Sequence, residues 1–212
     1  MMNPVIGKKV ILFEVQKVDV PDFAAAHRED KHGYMQAMNL SKMTEDEAKK
    51  YVMLLLTSLQ MIAFVVMTKE GKASRRVGYV YINDLSIHGC SISGLMMKDF
   101  AAGLARQVRR GKYTYSEDAM RTLIAWLYEN FNKLDRIQAD VVVENKLSLA
   151  LVSRVGFKRE GVLRNYLHLD DKAVDVVVHS ILRSEWRDED EPVQKTADHN
   201  DTAVQPTAAA LV

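Results

Sequence analysis

Residues 136–157 read RIQADVVVENKLSLALVSRVGF. Ile137, Ala139 and Val141 alternate with Gln138 and Asp140, a period-two pattern that predicts a strand over 136–143. Asn145 comes next, with Ser148 three residues further on, and 147–155 reads as a helix. Gly156-Phe157 closes that helix, glycine being the residue that accepts left-handed backbone at a helix C-terminus. A strand therefore hands over directly to a short helix bracketed by Asn145 and Gly156.

The surrounding elements can be read outward from this unit. Downstream, KREGVLR at 158–164 leads into two alternating runs, 161–169 and 173–182, which read as a hairpin turning at Asp171-Lys172. Upstream, 116–131 is the clearest helix, with Met120, Leu123, Ile124, Leu127 and Phe131 on one face. Residues 9–16 alternate as a strand, and Val20-Pro21-Asp22 opens a helix, proline being tolerated at such a start. Thr44 followed by Glu47 is a capping-box signature for a second helix running toward Leu59. Strands are predicted over 61–68 and 77–87, the latter with a bend at Asn83-Asp84. Either 90–97 or 99–108 supplies a further, central strand. Residues 101–108 are preferred, because they lead straight into the loop before the long helix. The order is β-α-α-β-β-β-α-β-α-β-β, an α/β (α+β) pattern over 1–187.

Composition narrows the class. Hydrophobic residues make up 48% and charged residues 27% of 212 residues, as in ordinary globular domains. The single cysteine, Cys90, excludes an intramolecular disulfide and a cysteine-based zinc site, and reads as a small core residue. No metal site is expected. The N-terminus lacks the charged region and cleavage site of a signal peptide, so a cytoplasmic protein is expected. The apolar run 51–67 is interrupted by Thr57, Ser58 and Gln60 and reads as a helix end followed by a buried strand, with no membrane span. The net charge of +1 divides into −5 from residue 188 onward and +6 before it. Residues 188–212 are acidic and aperiodic and read as a disordered tail. The basic body favours an anionic ligand.

Such a ligand has an obvious place. Arg109-Arg110-Gly111-Lys112-Tyr113-Thr114 runs into the helix that begins near Ser116. A loop feeding a helix N-terminus presents unpaired backbone N–H groups and the positive end of the helix dipole, which suits a pyrophosphate. A solvated turn is the plain alternative. Nucleic acid is not expected, since RQVRRGK lacks a second basic stripe or an aromatic stacking platform.

Together these motifs resemble the GNAT family of N-acetyltransferases. N-x-x-S (Asn145, Ser148), G-F (Gly156-Phe157) and E-G-x-x-R (Glu160, Gly161, Arg164) are most similar to the branch that acetylates ribosomal-protein N-termini. The resemblance is specific from about Arg106 onward. It implies the GNAT fold, a mixed and mostly antiparallel sheet of six to seven strands flanked by helices, and acetyl-CoA as co-substrate. It also implies Val108, Arg109, Arg110, Gly111, Lys112, Tyr113, Thr114, Asn145 and Ser148 as cofactor-binding residues. Gly111, Ser116 and Glu117 keep the family's loop pattern. Tyr113 replaces its second glycine, and Asp118 intervenes before Ala119, which puts the loop's backbone path in question.

The implied reaction is direct attack of a neutral amine on the thioester, with a backbone N–H near Val108 stabilising the oxyanion. The tyrosine that protonates the thiolate in many relatives is here Val152, so Ser148 inherits the acid role. A helix-capping hydroxyl is the alternative for Ser148. A turn at Asp171-Lys172 would set His168 opposite Asp175, either as a base and its orienting carboxylate or as an exposed ion pair. Arg164 is expected to pair with a carboxylate of the last sheet. An α-amino group, with a pKa of about 7.7–8.0, needs less help from a base than a lysine side chain at about 10.4, which favours a protein or peptide N-terminus as acceptor. The competing reading is a GNAT-like fold without turnover, acting as a CoA-binding or structural module.

Overall fold

The computed structural model describes residues 2–29, 40–57, 61–69, 74–96, 114–169 and 172–187. Its strands are β1 (Val5–Ile6), β2 (Val10–Glu14), β3 (Ile62–Thr68), β4 (Arg76–Asn83), β5 (Gly89–Met96), β6 (Arg136–Val142), β7 (Lys158–Leu169) and β8 (Lys172–Leu182). They form one sheet in the order β1-β2-β3-β4-β5-β6-β8-β7. Every pairing is antiparallel except β5–β6. The sheet therefore has eight strands where six to seven were expected. The additional one is a two-residue strand, too short to show a period, that pairs Val5 with Leu12.

Four α-helices lie among the described residues: α1 (Val20–Arg28), α2 (Glu45–Thr57), α3 (Tyr115–Asn130) and α4 (Lys146–Val155). The Thr44 capping box forms as expected, with Glu47 accepting from both the amide and the hydroxyl of Thr44 at 2.8 Å. Pro21 lies in the first turn of α1. Two cores divide the faces of the sheet. On one face, Leu123, Ile124 and Leu127 of α3 and Val152 and Val155 of α4 meet Leu12, Phe64, Val80, Ile92 and Ile137. On the other, Phe23 and Ala24 of α1 and Ala48 and Val52 of α2 meet Val65, Tyr79 and Tyr81. Cys90 is a buried core residue, and burial pushes its thiol up to about 12. No helix among the described residues is long and apolar enough to cross a membrane.

Two expectations need correction. The place between β4 and β6, where the central strand belongs, is filled by Gly89–Met96. Residues 101–108, preferred for it, lie outside the described residues. Gly89, Ser91, Ser93 and Gly94 depress strand propensity, but neighbours on both sides override it. Gly94 has a packing role: a Cβ there would stand 3.2 Å from Val80 Cγ1 and 3.3 Å from the Tyr79 carbonyl oxygen.

The hairpin register also differs. Leu169 faces Lys172 and His168 faces Ala173, so the turn comes one residue earlier than read. Between the Leu163–Val176 and Leu167–Val174 pairs, three residues of β7 oppose the single Asp175. Asn165 takes the bulge with φ of 51°, a conformation asparagine tolerates.

Candidate active site

The parallel seam between β5 and β6 decides what the fold can hold. Only Gly89–Arg136, Cys90–Ile137 and Ser91–Gln138 are in register. Beyond them β5 continues against β4 as far as Met96–Gly78, and β6 continues against β8 as far as Val142–Val176. Each half of the sheet carries on while the ladder between the halves stops. The orientation of the backbone follows from its neighbours. The His88 carbonyl accepts from the amides of Asp135 and Arg136 on the β6 side, whereas Gly89 exchanges bonds with Ser86 on the other side. Strand alternation then directs the main-chain groups of Ile92, Gly94 and Met96 into the opened seam.

The N-terminus of α3 is a second element of the site. Thr114 is its N-cap, and the Thr114 hydroxyl accepts from the Glu117 amide at 3.1 Å. Thr114 thus serves the helix itself, and the Ser116 amide, in the first turn, has no acceptor within the helix. The Ser116 hydroxyl, in the same turn, is buried with no hydrogen-bond partner among the described residues. An orphaned buried hydroxyl beside first-turn amides suits a phosphate oxygen.

Two acids occupy this turn, and both are engaged away from the helix axis. Glu117 is 4% exposed and binds Arg154 of α4 through Nη2 at 2.6 Å and Nε at 3.1 Å, with Arg121 Nε at 3.8 Å. Arg121 also donates to the Arg154 carbonyl at 2.8 Å. This cluster ties the start of α3 to the end of α4. Asp118, 1% exposed, accepts from the amides of Lys9 at 2.7 Å, Val10 at 2.9 Å and Lys8 at 3.2 Å, locking the N-terminal strand to the same turn. In sequence, Asp118 registered only as a departure from the loop pattern.

The other end of α4 faces the end of β6. Asn145 is its N-cap, its side chain accepting from the Ser148 amide at 3.1 Å, and its amide donates to the Val142 carbonyl at 2.9 Å. Gly156 closes the helix with φ of 108°. The cap is therefore Asn145, not Ser148. The half-buried Ser148 hydroxyl has no protein partner among the described residues. Val152 is buried in the core, so no phenol projects from that position.

Other sequence-predicted residues part company. Val108, Arg109, Arg110, Gly111, Lys112 and Tyr113 lie outside the described residues. His168 and Asp175 do not pair: His168 is exposed opposite Ala173, and Asp175 accepts the Asn165 amide at 2.8 Å to close the bulge. The earlier turn sets His168 against Ala173, which removes the dyad, and the bulge beyond Leu167 takes up Asp175. Arg164 is exposed, without a carboxylate partner among the described residues. Glu160 takes Arg136 instead, at 2.6 Å, together with the Ser180 hydroxyl at 2.6 Å, and these bonds lower its carboxyl to about 2. No cluster of three metal-binding side chains occurs among the described residues.

Residues 9–158 match the family model described as the acetyltransferase (GNAT) domain. The chain belongs to the GNAT family. As a member it is an acyltransferase with acetyl-CoA as its co-substrate. The acetyltransferase is 25% identical over 151 residues to the uncharacterized N-acetyltransferase p20 of Bacillus licheniformis, covering 70% of this chain and 80% of that protein. It shares its fold with RimL, the ribosomal L7/L12 alpha-N-protein acetyltransferase, solved in complex with coenzyme A. The TM-score is 0.66 and the identity 15%, covering 85% of this chain and 98% of that one. The spermidine N-acetyltransferase of Vibrio cholerae, solved with CoA and spermine, has a TM-score of 0.65 at 16% identity, covering 83% of this chain and 96% of the other.

Proposed function

We propose that this acetyltransferase moves the acetyl group of acetyl-CoA onto a primary amine at a protein or peptide N-terminus. The observation that carries the reading is the seam: β5 and β6 lose their ladder after three pairs, while each keeps its outer partner. An extended pantetheine arm is the kind of ligand that can take up the main-chain groups of Ile92, Gly94 and Met96. The α3 turn with the orphaned Ser116 hydroxyl then receives the pyrophosphate, with the Arg109, Arg110 and Lys112 charges preceding it in sequence. The side-chain nitrogen of Asn145 is the group left for the arm, since its side-chain oxygen is committed to the helix cap and its backbone amide to Val142.

In the reaction the acceptor's nitrogen lone pair attacks the thioester carbonyl carbon. A C–N bond forms, and negative charge develops on the oxygen. A β5 amide at the seam stabilises that charge, replacing the donor expected near Val108. Collapse breaks the C–S bond, and the Ser148 hydroxyl, which the helix does not use, gives its proton to the leaving sulfur. The proton lost from nitrogen passes through solvent and restores the Ser148 hydroxyl. An α-amine is neutral in a useful fraction at pH 7 without a dedicated base, which supports an N-terminal acceptor.

The test has two stages. CoA at a hundred times its dissociation constant raises stability by about 2.7 kcal/mol. Acetyl-CoA is then offered with peptides bearing a free N-terminus, the same peptides blocked at the N-terminus but carrying lysine, and spermidine. Thiol release with the free N-terminus alone is the expected result. Turnover with lysine or spermidine alone refutes the acceptor, and stabilisation without any turnover refutes the enzymatic reading in favour of a binding module.

A further inference from the structure

A row of polar side chains crosses the last three strands on the face away from α3 and α4. Ile137, Ala139 and Val141 of β6 pack toward those helices, so Arg136, Gln138 and Asp140 stand on the opposite face. Among the described residues, the core beneath α1 and α2 draws on β3 and β4 and on no residue of β6, β7 or β8. Asp140 is exposed there.

The row is held from its far end. The Glu160 carboxylate of β7 accepts from both Nη atoms of Arg136 at 2.6 Å and from the Ser180 hydroxyl of β8 at 2.6 Å. Arg136 Nη2 also donates to the Gln138 side-chain oxygen at 3.0 Å. That bond settles which way the amide points, and the Gln138 side-chain nitrogen donates to both oxygens of Asp140 at 3.0 Å. Each Asp140 oxygen keeps a lone pair for a further donor.

The near end of the row borders the seam. Ser91–Gln138 is the last pair of the parallel ladder, and two residues beyond it stand Ser93 and Asp140, where the ladder has stopped. Ser93 pairs with Tyr81 of β4 and accepts from Asn83 Nδ2 at 3.4 Å. With the diphosphate assigned to the α3 turn, this opposite face is left for the acceptor. An exposed carboxylate with lone pairs to spare suits the N–H groups of an amine.

We propose that Asp140 receives the acceptor's amine at the mouth of the seam, and that Arg136, acting through Gln138, is the positioning residue that aims the carboxylate. This inference rests on the acetyl-transfer reading above. Asp140 accepts N–H groups and keeps no proton; its exposure leaves the nitrogen in contact with the solvent through which its proton passes.

The test measures steady-state kinetics at saturating acetyl-CoA with the free-N-terminus peptide, the blocked lysine peptide and spermidine. Asp140→Asn raises the KM of whichever amine is acetylated about ten-fold, while kcat stays within about two-fold and CoA-induced stabilisation is unchanged. Arg136→Met raises the same KM about three-fold in the parent and has no further effect in Asp140→Asn. For Asp140→Asn, a parent-like KM, or a fall in kcat at unchanged KM, overturns the inference and leaves the proposed function standing. An equal effect of Arg136→Met in both backgrounds makes Arg136 structural and overturns its positioning role. Absence of turnover by the parent with every amine overturns both readings.

Discussion

Replacing Arg154 with methionine tests whether the two helices beside the seam are held by charge. Glu117 is 4% exposed, and Arg154 Nη2 approaches its carboxylate to 2.6 Å. Removing one partner of a buried pair costs about 3–5 kcal/mol, because the remaining charge stays desolvated. Two features reduce that figure here. The Arg154 side chain is 27% exposed, and Arg121 remains 3.8 Å from Glu117. A loss of about 2–3 kcal/mol is therefore expected for Arg154→Met, read from urea denaturation midpoints at constant slope. Glu117→Gln in the same chain removes the stranded charge and should restore at least about 1 kcal/mol, the coupling expected of groups in contact. CoA affinity should fall in the single variant, since the α3 turn and α4 no longer keep their spacing. A loss below about 0.5 kcal/mol, or a double variant no more stable than Arg154→Met, would refute the reasoning.

Three further outcomes can be measured. His27 is buried, its Nδ1 donates to the Phe23 carbonyl at 2.9 Å, and burial lowers it from 6.5 to about 4; the neutral form is favoured in the fold, so stability is fully present above pH 6.5 and about 3 kcal/mol is lost as pH falls toward 4. His27→Leu should flatten that part of the stability–pH curve, and an unchanged slope contradicts the assignment. Ser148→Ala should lower kcat about a hundred-fold while leaving CoA-induced stabilisation intact, and unchanged turnover removes the hydroxyl from the chemistry. Gly7→Ala should cost about 2 kcal/mol, because its Cβ would lie 2.3 Å from Thr122 Oγ1 and 2.6 Å from an Asp118 oxygen already bound to two amides, and a neutral result in thermal denaturation would show that the latch can shift.

Local chemistry was legible in the sequence where a few neighbouring residues settle the matter. The Thr44–Glu47 box, Pro21 at a helix start and Gly156 at the end of α4 all act within four residues and appear where they were read, whereas the cap at the start of α4 is Asn145 rather than Ser148. The central strand was harder, because Gly89, Ser91, Ser93 and Gly94 carry little strand preference of their own and are ordered by β4 and β6. The His168–Asp175 pairing failed for a different reason: the hairpin turns one residue earlier than read, so His168 meets Ala173, while the bulge at Asn165 takes up Asp175. Asp118 could not be read at all, since its partners lie more than a hundred positions away as backbone amides. The seam is of the same kind, being a property of ladder register rather than of residue type.

That last point has a consequence for how such a protein can change. The donor grip proposed here, made from peptide groups at Ile92, Gly94 and Met96, is insensitive to most substitutions, so alanine scanning along β5 will under-report it. Only proline, or replacement of a single amide by an ester, deletes one of its hydrogens. Side chains around the acceptor are therefore at liberty to drift toward new amines while the thioester is still met by the same chemistry.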